Sequence, residues 1–540
     1  MRFKITKCLL VVCSVNGSIS MKGIKKYTIH LICILSFFTA LFYNELNLKY
    51  LPDDAKREHQ TVGTNDDASY LNPPLNYLTT NTWYEDYYGG KIGYFIRPPG
   101  YGLIYLAIYK CVGAIRVLTY LKLLQLLLFS LSVYCFYYIA FAVLQMRRLA
   151  LFVSALYGLS PFAIGFLYYT LTEGVSPALL LGFVFFLFKA NDANTSTKTN
   201  TFFFIAALLF SFLFLVRPVL GIFGLLLPTF IIYNKFKTSV KATAIQIVTF
   251  GLTAMSLMIV WQVRNYRIAG EYVGLHPVYY ADGNTNFRPP FREYWRFAGG
   301  WAERGDVGFS YMCPLWDAAI TGDTSIRYVN DAIAHFPQDV VQYFGRERLT
   351  LVFRKYQESI LVQKQYYDKQ LPMPMEQPAV EKESTQDFIQ LTNEFKSHFW
   401  FQYYFSSPFK VFKLMTFHSN LSLFIFQRTF RGTFIMETVR LLFYSIHGLC
   451  FLILIFNLIM LNRKGVVSYS LVIAPLTYVY YLCYVQRGIE ERYTLPILPF
   501  LLIGLAYTLE KMSHWRVKVE VVPDDDLDDD SEEEVEEEEK

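Results

Sequence analysis

The sequence predicts an α-helical protein that crosses a membrane many times, and three observations carry that expectation. Of 540 residues, 53% are hydrophobic and only 18% are charged, where soluble domains run near 25% charged. The mean hydropathy is +0.26. The chain also holds 48 Phe and 41 Tyr, which argues against disorder, collagen-like repeats and a small disulfide scaffold. A free nucleic-acid-binding protein is excluded on the same composition, so no nucleic-acid partner is expected.

A hydrocarbon core of about 30 Å needs roughly 17–25 apolar residues per helix. Ten segments are expected to span, at residues 27–44, 117–144, 149–171, 174–189, 201–217, 219–234, 242–262, 435–461, 466–485 and 494–510. Lys and Arg favour cytoplasmic loops. Lys22, Lys25 and Lys26 precede the first span. Arg147/Arg148, Lys189/Lys198, Lys235/Lys237/Lys241, Arg463/Lys464 and Lys511/Arg516/Lys518 then recur at every second boundary. Both termini are therefore expected in the cytoplasm. The apolar stretch Gly100–Ala114 is short, and counting it as a span would put the later basic loops outside. It is expected to be a re-entrant or interfacial helix in the first outer loop.

The elements then follow in order. Residues 1–20 read as a misassigned or extended N-terminus, because Met21-Lys-Gly-Ile-Lys-Lys before an apolar run has a signal-anchor pattern. Residues 21–263 form a transmembrane module containing the first outer loop, 45–116. Residues 264–434 form a mixed outer domain, residues 435–515 the C-terminal transmembrane helices, and residues 516–540 an acidic, disordered cytoplasmic tail. Within the outer domain, 323–335 and 341–367 read as helices, and 399–412 as interfacial. The formal net charge of +5 hides this division. Residues 524–540 hold 13 acidic side chains and one Lys, leaving 49 basic and 32 acidic groups elsewhere, a net of +17. A basic body suits an anionic lipid surface or an anionic substrate.

Several chemistries lack their sequence signals. Cys313 is the cysteine clearly in the outer domain and Cys111 lies near the interface, so no disulfide framework is expected. There is no CxxC spacing, P-loop, HExxH or GxGxxG after a strand. The scattered His335, His398 and His418 give no metal cluster. No metal site is expected, although carboxylates alone are able to bind a divalent ion.

The first outer loop is the most informative stretch: Thr64-Asn-Asp-Asp-Ala-Ser-Tyr-Leu-Asn-Pro-Pro74, Trp83-Tyr-Glu-Asp-Tyr-Tyr88 and Gly93-Tyr-Phe-Ile-Arg-Pro-Pro-Gly-Tyr-Gly102. Acidic residues at a membrane surface, followed by a basic residue fixed before a Pro-Pro turn, suit an acid–cation pair. Proline locks its own φ and pushes the preceding residue towards an extended backbone, which holds Arg97 where the loop re-enters the membrane. Its planar guanidinium matches a pair of phosphate oxygens. The plainer alternative is a solvated loop with a proline turn.

The order Asp67, Tyr70, then Arg97–Tyr101 resembles the first loop of GT-C type lipid-linked-sugar glycosyltransferases, the superfamily of protein O-mannosyltransferases, lipid A aminoarabinose transferases and bacterial family-39-like enzymes. Trp261-Gln-Val-Arg-Asn-Tyr-Arg-Ile-Ala-Gly270, Glu491-Arg-Tyr-Thr-Leu-Pro-Ile-Leu-Pro499 and Arg217-Pro218 are similar to further segments of that family. Two positions depart from it. Ile96 stands where the aminoarabinose enzymes place an acid, and Asp66-Asp67 stands where the mannosyltransferases usually show Asp-Glu.

The resemblance implies an inverting enzyme that moves a hexosyl or pentosyl group from a polyprenyl-phosphate sugar to an acceptor hydroxyl at the outer face of the membrane. The acceptor would be a glycolipid, a glycan or a protein, and the lipid-phosphate sugar would be the donor substrate, with no separate cofactor. Asp67 is the first choice for general base and Asp66 the second. Arg97, then Arg264 and Arg492, would stabilise the departing phosphate, Glu85 and Asp86 would orient sugar hydroxyls or support Arg97, and Tyr70, Tyr101 and Tyr493 belong to the matched segments. The nearest likeness is bacterial, which implies the inner membrane; the sequons at Asn194 and Asn420 are too short to indicate otherwise.

Plainer readings stand beside these. Arg217, Arg264 and Arg492 lie at span ends, where Arg snorkels to headgroups, and Glu490/Glu491 with Arg487/Arg492 suit surface ion pairs. Lys122 either reaches a lipid phosphate or snorkels, with snorkelling favoured. Glu173 either caps the helix at Val175 or lines the site. Trp295, Trp301 and Trp316 form an aromatic groove or ordinary core. The alternative function is a lipid-linked oligosaccharide flippase, polymerase or ligase; a third reading is a scaffold acting through its acidic tail.

Overall fold

The computed structural model describes residues 21–520 apart from 52–63, 65, 88–90, 96, 235–238, 271, 274–285, 287, 302–306, 370, 372, 375, 417–430, 455–456, 458–464 and 489. The expectations for residues 1–20 and for most of the acidic tail lie outside the described residues. The protein is an α-helical, multi-pass membrane protein. Among the described residues, eight helices are long and apolar enough to cross a membrane.

The chain opens with α1 (Met21–Tyr50), then α2 (Ala68–Thr80), the hairpin β1 (Glu85–Tyr87) and β2 (Lys91–Gly93), and α3 (Gly100–Val112). The antiparallel strands pair Glu85 with Gly93 and Tyr87 with Lys91. With 13 residues, α3 reaches about 20 Å at 1.5 Å per residue. That is short of a bilayer, as the basic-loop pattern requires. Next come α4 (Val117–Leu144), α5 (Arg147–Gly158), α6 (Pro161–Ile164), α7 (Ser176–Asp192), α8 (Ser196–Val216), α9 (Leu226–Ile232) and α10 (Val240–Ala269). Local chemistry sets several boundaries. The Thr195 and Ser239 hydroxyls accept from the Lys198 and Ala242 amides to start α8 and α10. Gly270, in the left-handed region, ends α10.

One expected span is interrupted and a second begins in 3-10 geometry. The segment 149–171 breaks after Gly158, where Ser160 is extended and Pro161 starts the short α6. Segment 219–234 is a 3-10 helix, Pro218–Leu225, leading into α9. In both, a proline lacks the amide needed to continue the preceding ladder. Hydropathy registers the apolar run and not the break.

A second body follows: α11 (Pro289–Ala298), α12 (Val307–Thr321), α13 (Ile326–Ala334), α14 (Gln338–Phe344), α15 (Arg346–Tyr367) and α16 (Ala379–His398). Where the sequence suggests a mixed domain, the described residues here are helices and turns. Gly345, at φ +77, separates α14 from α15 within the single helix expected for 341–367. Trp301 and Trp316 are buried in this body's core with Phe297, Phe353 and Phe388, so they pack an interior and do not line a groove. Arg288 forks onto Glu381 at 2.7 and 2.6 Å, both side chains buried, tying the start of α11 to α16.

The chain then returns through a π-helical turn (Gln402–Ser406) and α17 (Ser407–Thr416) to α18 (Phe434–Leu452) and α19 (Val466–Tyr480). A second π-helical turn (Tyr481–Gln486), a 3-10 helix (Glu491–Ile497) and α20 (Leu498–Glu520) complete it. One apolar core runs from Ala40 to Tyr507 and unites the early and late helices. Outward-facing residues such as Phe38 and Phe42 on α1, and Ile245, Val248 and Leu252 on α10, are exposed, which suits lipid contact.

The two bodies meet beside residues 486–487. The Trp295 indole donates to the Gln486 carbonyl at 3.3 Å, and Arg487 Nη1 donates to the Gly299 carbonyl at 3.2 Å. The Arg487 guanidinium also lies 3.5 Å from the Tyr403 ring centre.

One close approach positions the Arg97 segment. A Cβ on Gly100 would lie 2.6 Å from the Leu215 carbonyl carbon and the Val216 nitrogen, both backbone atoms. Gly100→Ala is expected to lower stability by about 1–3 kcal/mol, read as a lower thermal unfolding midpoint in detergent. Gly251→Ala, with open space around it, should not lower it.

Candidate functional site

Five charged side chains from four distant stretches form a continuous chain of alternating sign. Asp66 Oδ1 lies 3.0 Å from Arg97 Nη2, and its Oδ2 lies 2.6 Å from Arg492 Nη2. Arg492 Nε lies 3.5 Å from Glu173 Oε1, which is 2.5 Å from Arg217 Nη1. Glu490, on the exposed rim, adds a contact of 2.7 Å to Arg492. Glu173 is only 3% exposed. A carboxylate that deep is tolerable because two guanidinium groups and the Thr172 hydroxyl meet it.

Each member is delivered by a local break in regular structure. Asp66 precedes α2, Arg97 precedes Pro98-Pro99 at the entry to α3, and Glu173 sits in the 3-10 turn Thr172–Gly174 before α7. Arg217 lies between α8 and the Pro218 turn, and Arg492 in the 3-10 helix before α20. At such breaks a side chain leaves the helix surface and points along the axis. Here three span ends and the first outer loop converge.

Arg97, Glu173, Arg217 and Arg492 line the polar end of a cavity of about 830 Å³. Phe210, Phe214, Leu227, Ile247 and Met255 provide apolar wall, and Tyr478, Tyr481 and Tyr493 add aromatic surface. The volume lies within the usual range for small-molecule sites. An amphiphile with an anionic head and a greasy tail matches this polarity.

The sequence-predicted residues divide. Tyr70 lines the cavity, and its hydroxyl accepts from Arg97 Nη1 at 3.2 Å while its ring lies under that guanidinium. Tyr493 also lines it, donates to Glu490 at 3.1 Å and faces Arg217. Asp67 is buried and turned away: its Oδ2 accepts from the Thr64 amide at 2.8 Å and the Thr170 hydroxyl at 3.3 Å. That bonding ties the loop to the segment before Glu173, so Asp66 and not Asp67 meets the cations.

Arg264, expected in the phosphate set, lies at the hairpin. It donates to the Tyr94 carbonyl at 2.6 Å and to the Trp83 carbonyl, and lies over Trp261 and Phe95. It pins the hairpin to α10. Tyr101 is fully buried and donates to Gln125 at 2.8 Å; Gln125 in turn donates to the Leu167 carbonyl at 2.6 Å. Its role here is packing. Glu85 is buried on β1 and is not part of the cavity lining. Asp86 pairs with Ile92 in the hairpin, and its side chain lies outside the described residues. Lys122 does not snorkel: it is buried and bound to Glu45 at 2.8 Å.

Glu173 and Arg217 are open alternatives in the sequence, and both belong to the ion chain, Arg217 at its inner end. The available signal was a lone acid at the edge of an apolar run, and a lone Arg before a proline. Among the described residues, no three His, Cys, Asp or Glu side chains come together as a metal site.

No family model matches this sequence, and no curated protein matches it. Among solved structures, the chain is similar to an oligosaccharyltransferase from Archaeoglobus fulgidus tethered to an acceptor peptide containing the NVT sequon, at 11% identity and a TM-score of 0.45. That likeness covers 91% of this chain and 51% of the other, so this chain spans about half that protein's length. It is also similar to ArnT from Cupriavidus metallidurans in the apo state, at 14% identity and a TM-score of 0.33, covering 87% of this chain and 77% of ArnT. The undecaprenyl-phosphate-bound ArnT gives 12% identity and a TM-score of 0.32, covering 90% and 80%. With identities and TM-scores this low, the likenesses assign no activity to this chain.

Burial alone would raise the Asp66 carboxyl, but the Arg97 and Arg492 guanidiniums hold it below the ordinary carboxylate value. Its contribution to stability is therefore complete above the unfolded value of about 3.9, and is lost as pH falls through the lower folded value. Thermal unfolding of the wild type and Asp66→Asn should show a constant gap above about pH 5. The gap should close only below about pH 4.

Proposed function

We propose that this protein is an inverting glycosyltransferase that moves a sugar from a polyprenyl-phosphate donor to an acceptor hydroxyl at the outer face of a bacterial inner membrane. The observation that carries the reading is the single cavity whose polar end holds Arg97, Arg217 and Arg492 and whose walls are apolar. A lipid phosphate presents that combination. The motif order in the sequence supports the same class, and the acceptor is a glycolipid, a glycan or a protein.

In this reading Asp66 is the general base, because it adjoins the cations that would hold the donor phosphate. The acceptor oxygen attacks the anomeric carbon and its proton passes to Asp66. The bond from that carbon to the phosphate oxygen breaks, and the lipid phosphate leaves with the electron pair. Attack from the opposite side inverts the anomeric centre, through an oxocarbenium-like transition state. The departing phosphate gains negative charge, so fixed guanidiniums stabilise it more in the transition state than before. Glu173 holds Arg217 and Arg492 at fixed positions, and Tyr70 does the same for Arg97. The arginines supply the positive charge that a metal ion would otherwise bring, and the reading includes no further cofactor.

The test is sugar transfer from radiolabelled polyprenyl-phosphate sugars to a crude acceptor extract by protein reconstituted in liposomes. Asp66→Asn is expected to lose about 10²–10⁴-fold in rate, as for loss of a general base. Arg492→Gln should lose about 10²–10³-fold, as for loss of one oxyanion donor. Full activity in Asp66→Asn would move the base elsewhere. Absence of transfer across a broad donor panel, with lipid-linked sugar crossing the bilayer, would overturn the reading in favour of a carrier.

A further inference from the structure

Asp66 differs from the rest of the ion chain in one respect. Arg97, Glu173, Arg217 and Arg492 line the cavity, whereas Asp66 stands beside it. From there it gives one oxygen to Arg97, at 3.0 Å, and the other to Arg492, at 2.6 Å. A phosphate presenting two oxygens to the same two guanidiniums would have the same geometry. The carboxylate thus takes the hydrogen-bonding positions that an incoming anion would use.

The surroundings make this consequential. Ile247, Gly251 and Met255 of α10 bound the cavity, while Val248 and Leu252 on the same helix are exposed and apolar. A membrane offers many anionic amphiphiles, and three guanidiniums beside a lipid-facing wall attract all of them. Exchanging Asp66 for another singly charged group, such as a fatty carboxylate or a phosphodiester, replaces like with like. A phosphate monoester carries a second charge and a third oxygen, and so outcompetes a single carboxylate for the two guanidiniums.

We infer that Asp66 is a specificity-determining residue, a resident anion that tunes the Arg97–Arg492 pair to the doubly charged lipid phosphate formed as the sugar leaves, over singly charged anions, the donor diester included. The inference rests on the proposed lipid-phosphate reading and deepens it. A polyprenyl-phosphate sugar is a phosphodiester, and its leaving group becomes a monoester. The exchange is therefore favoured as the bond to the sugar breaks, and it frees the Asp66 carboxylate beside the acceptor. A site matched to the charge of the leaving group acts on the transition state more than on the bound donor.

The experiment measures binding, not turnover, of the full chain in a zwitterionic or uncharged detergent at pH 8, where a phosphate monoester is doubly charged. The probes are dodecyl phosphate, its methyl ester (a phosphodiester) and laurate. The wild type should prefer dodecyl phosphate to the other two. In Asp66→Asn, laurate and the diester should bind about tenfold more tightly, because a competing internal anion is gone, and the preference for the monoester should shrink by a similar factor. Unchanged preference, or weaker binding of all three probes by folded Asp66→Asn, overturns the inference and leaves the donor reading intact. A wild type that binds none of the probes overturns the donor reading itself. Asp66→Ser removes the same charge with a smaller side chain, and thermal unfolding shows whether either variant is folded. If neither folds, Asp66 acts as a structural tie and the inference falls.

Discussion

The geometry of the site depends on keeping three guanidinium groups together next to apolar walls. Like charges that close repel, and at the edge of a low-dielectric region the repulsion is strong. The protein offsets it by alternation: Asp66 sits between Arg97 and Arg492, and Glu173 between Arg492 and Arg217. Two carboxylates for three arginines leave one formal positive charge, which exposed Glu490 balances at the rim. An anion entering the cavity therefore meets guanidiniums already partnered and has to compete with the resident carboxylates.

Much of the surrounding structure serves to hold that alternation in place. Arg264 draws the β1–β2 hairpin onto α10, which fixes the stretch leading to Arg97. Gly100 lets α3 press against the end of α8, one residue before Arg217. Asp67 ties the start of α2 to Thr170, close to Glu173. On the far side, Trp295 and Arg487 join the second body to the segment leading into Arg492. Four chain breaks, each held by a different neighbour, are therefore brought to one place. The function of the second body in this picture is partly mechanical, because it braces the strand of chain that carries one of the three cations.

The legible and illegible parts differ in physical kind. Spans such as α4, α8 and α10 were readable because hydropathy over some twenty residues is a local property. Segment 149–171 carried the same signal but broke at Pro161, and 219–234 begins in 3-10 geometry after Pro218. A window average dilutes one proline among many apolar neighbours. An acid–cation grouping of the first loop with Tyr70 and Arg97 was readable because it lies within one loop, although the acid favoured from sequence is Asp67 and the one that meets Arg97 is Asp66. The contacts of Arg264 were not readable because a span-end arginine has several acceptors in reach, and the choice of the Trp83 and Tyr94 carbonyls was made by how the hairpin packs.

From sequence alone came the membrane class, the positions of most spans, the short α3 and the acid–cation character of the first loop, since each follows from composition or spacing over a few turns of chain. The tertiary structure alone decided which acid meets which base. Asp66 finds Arg492 across 426 positions of sequence. The neighbouring Asp67, chemically identical, turns inward to Thr170. Adjacent aspartates at a helix start have the same local propensities, so nothing local separates them. Their roles diverge because the approach of α20 and of the turn before α7 gives one carboxylate a pair of guanidiniums and the other a buried amide and hydroxyl.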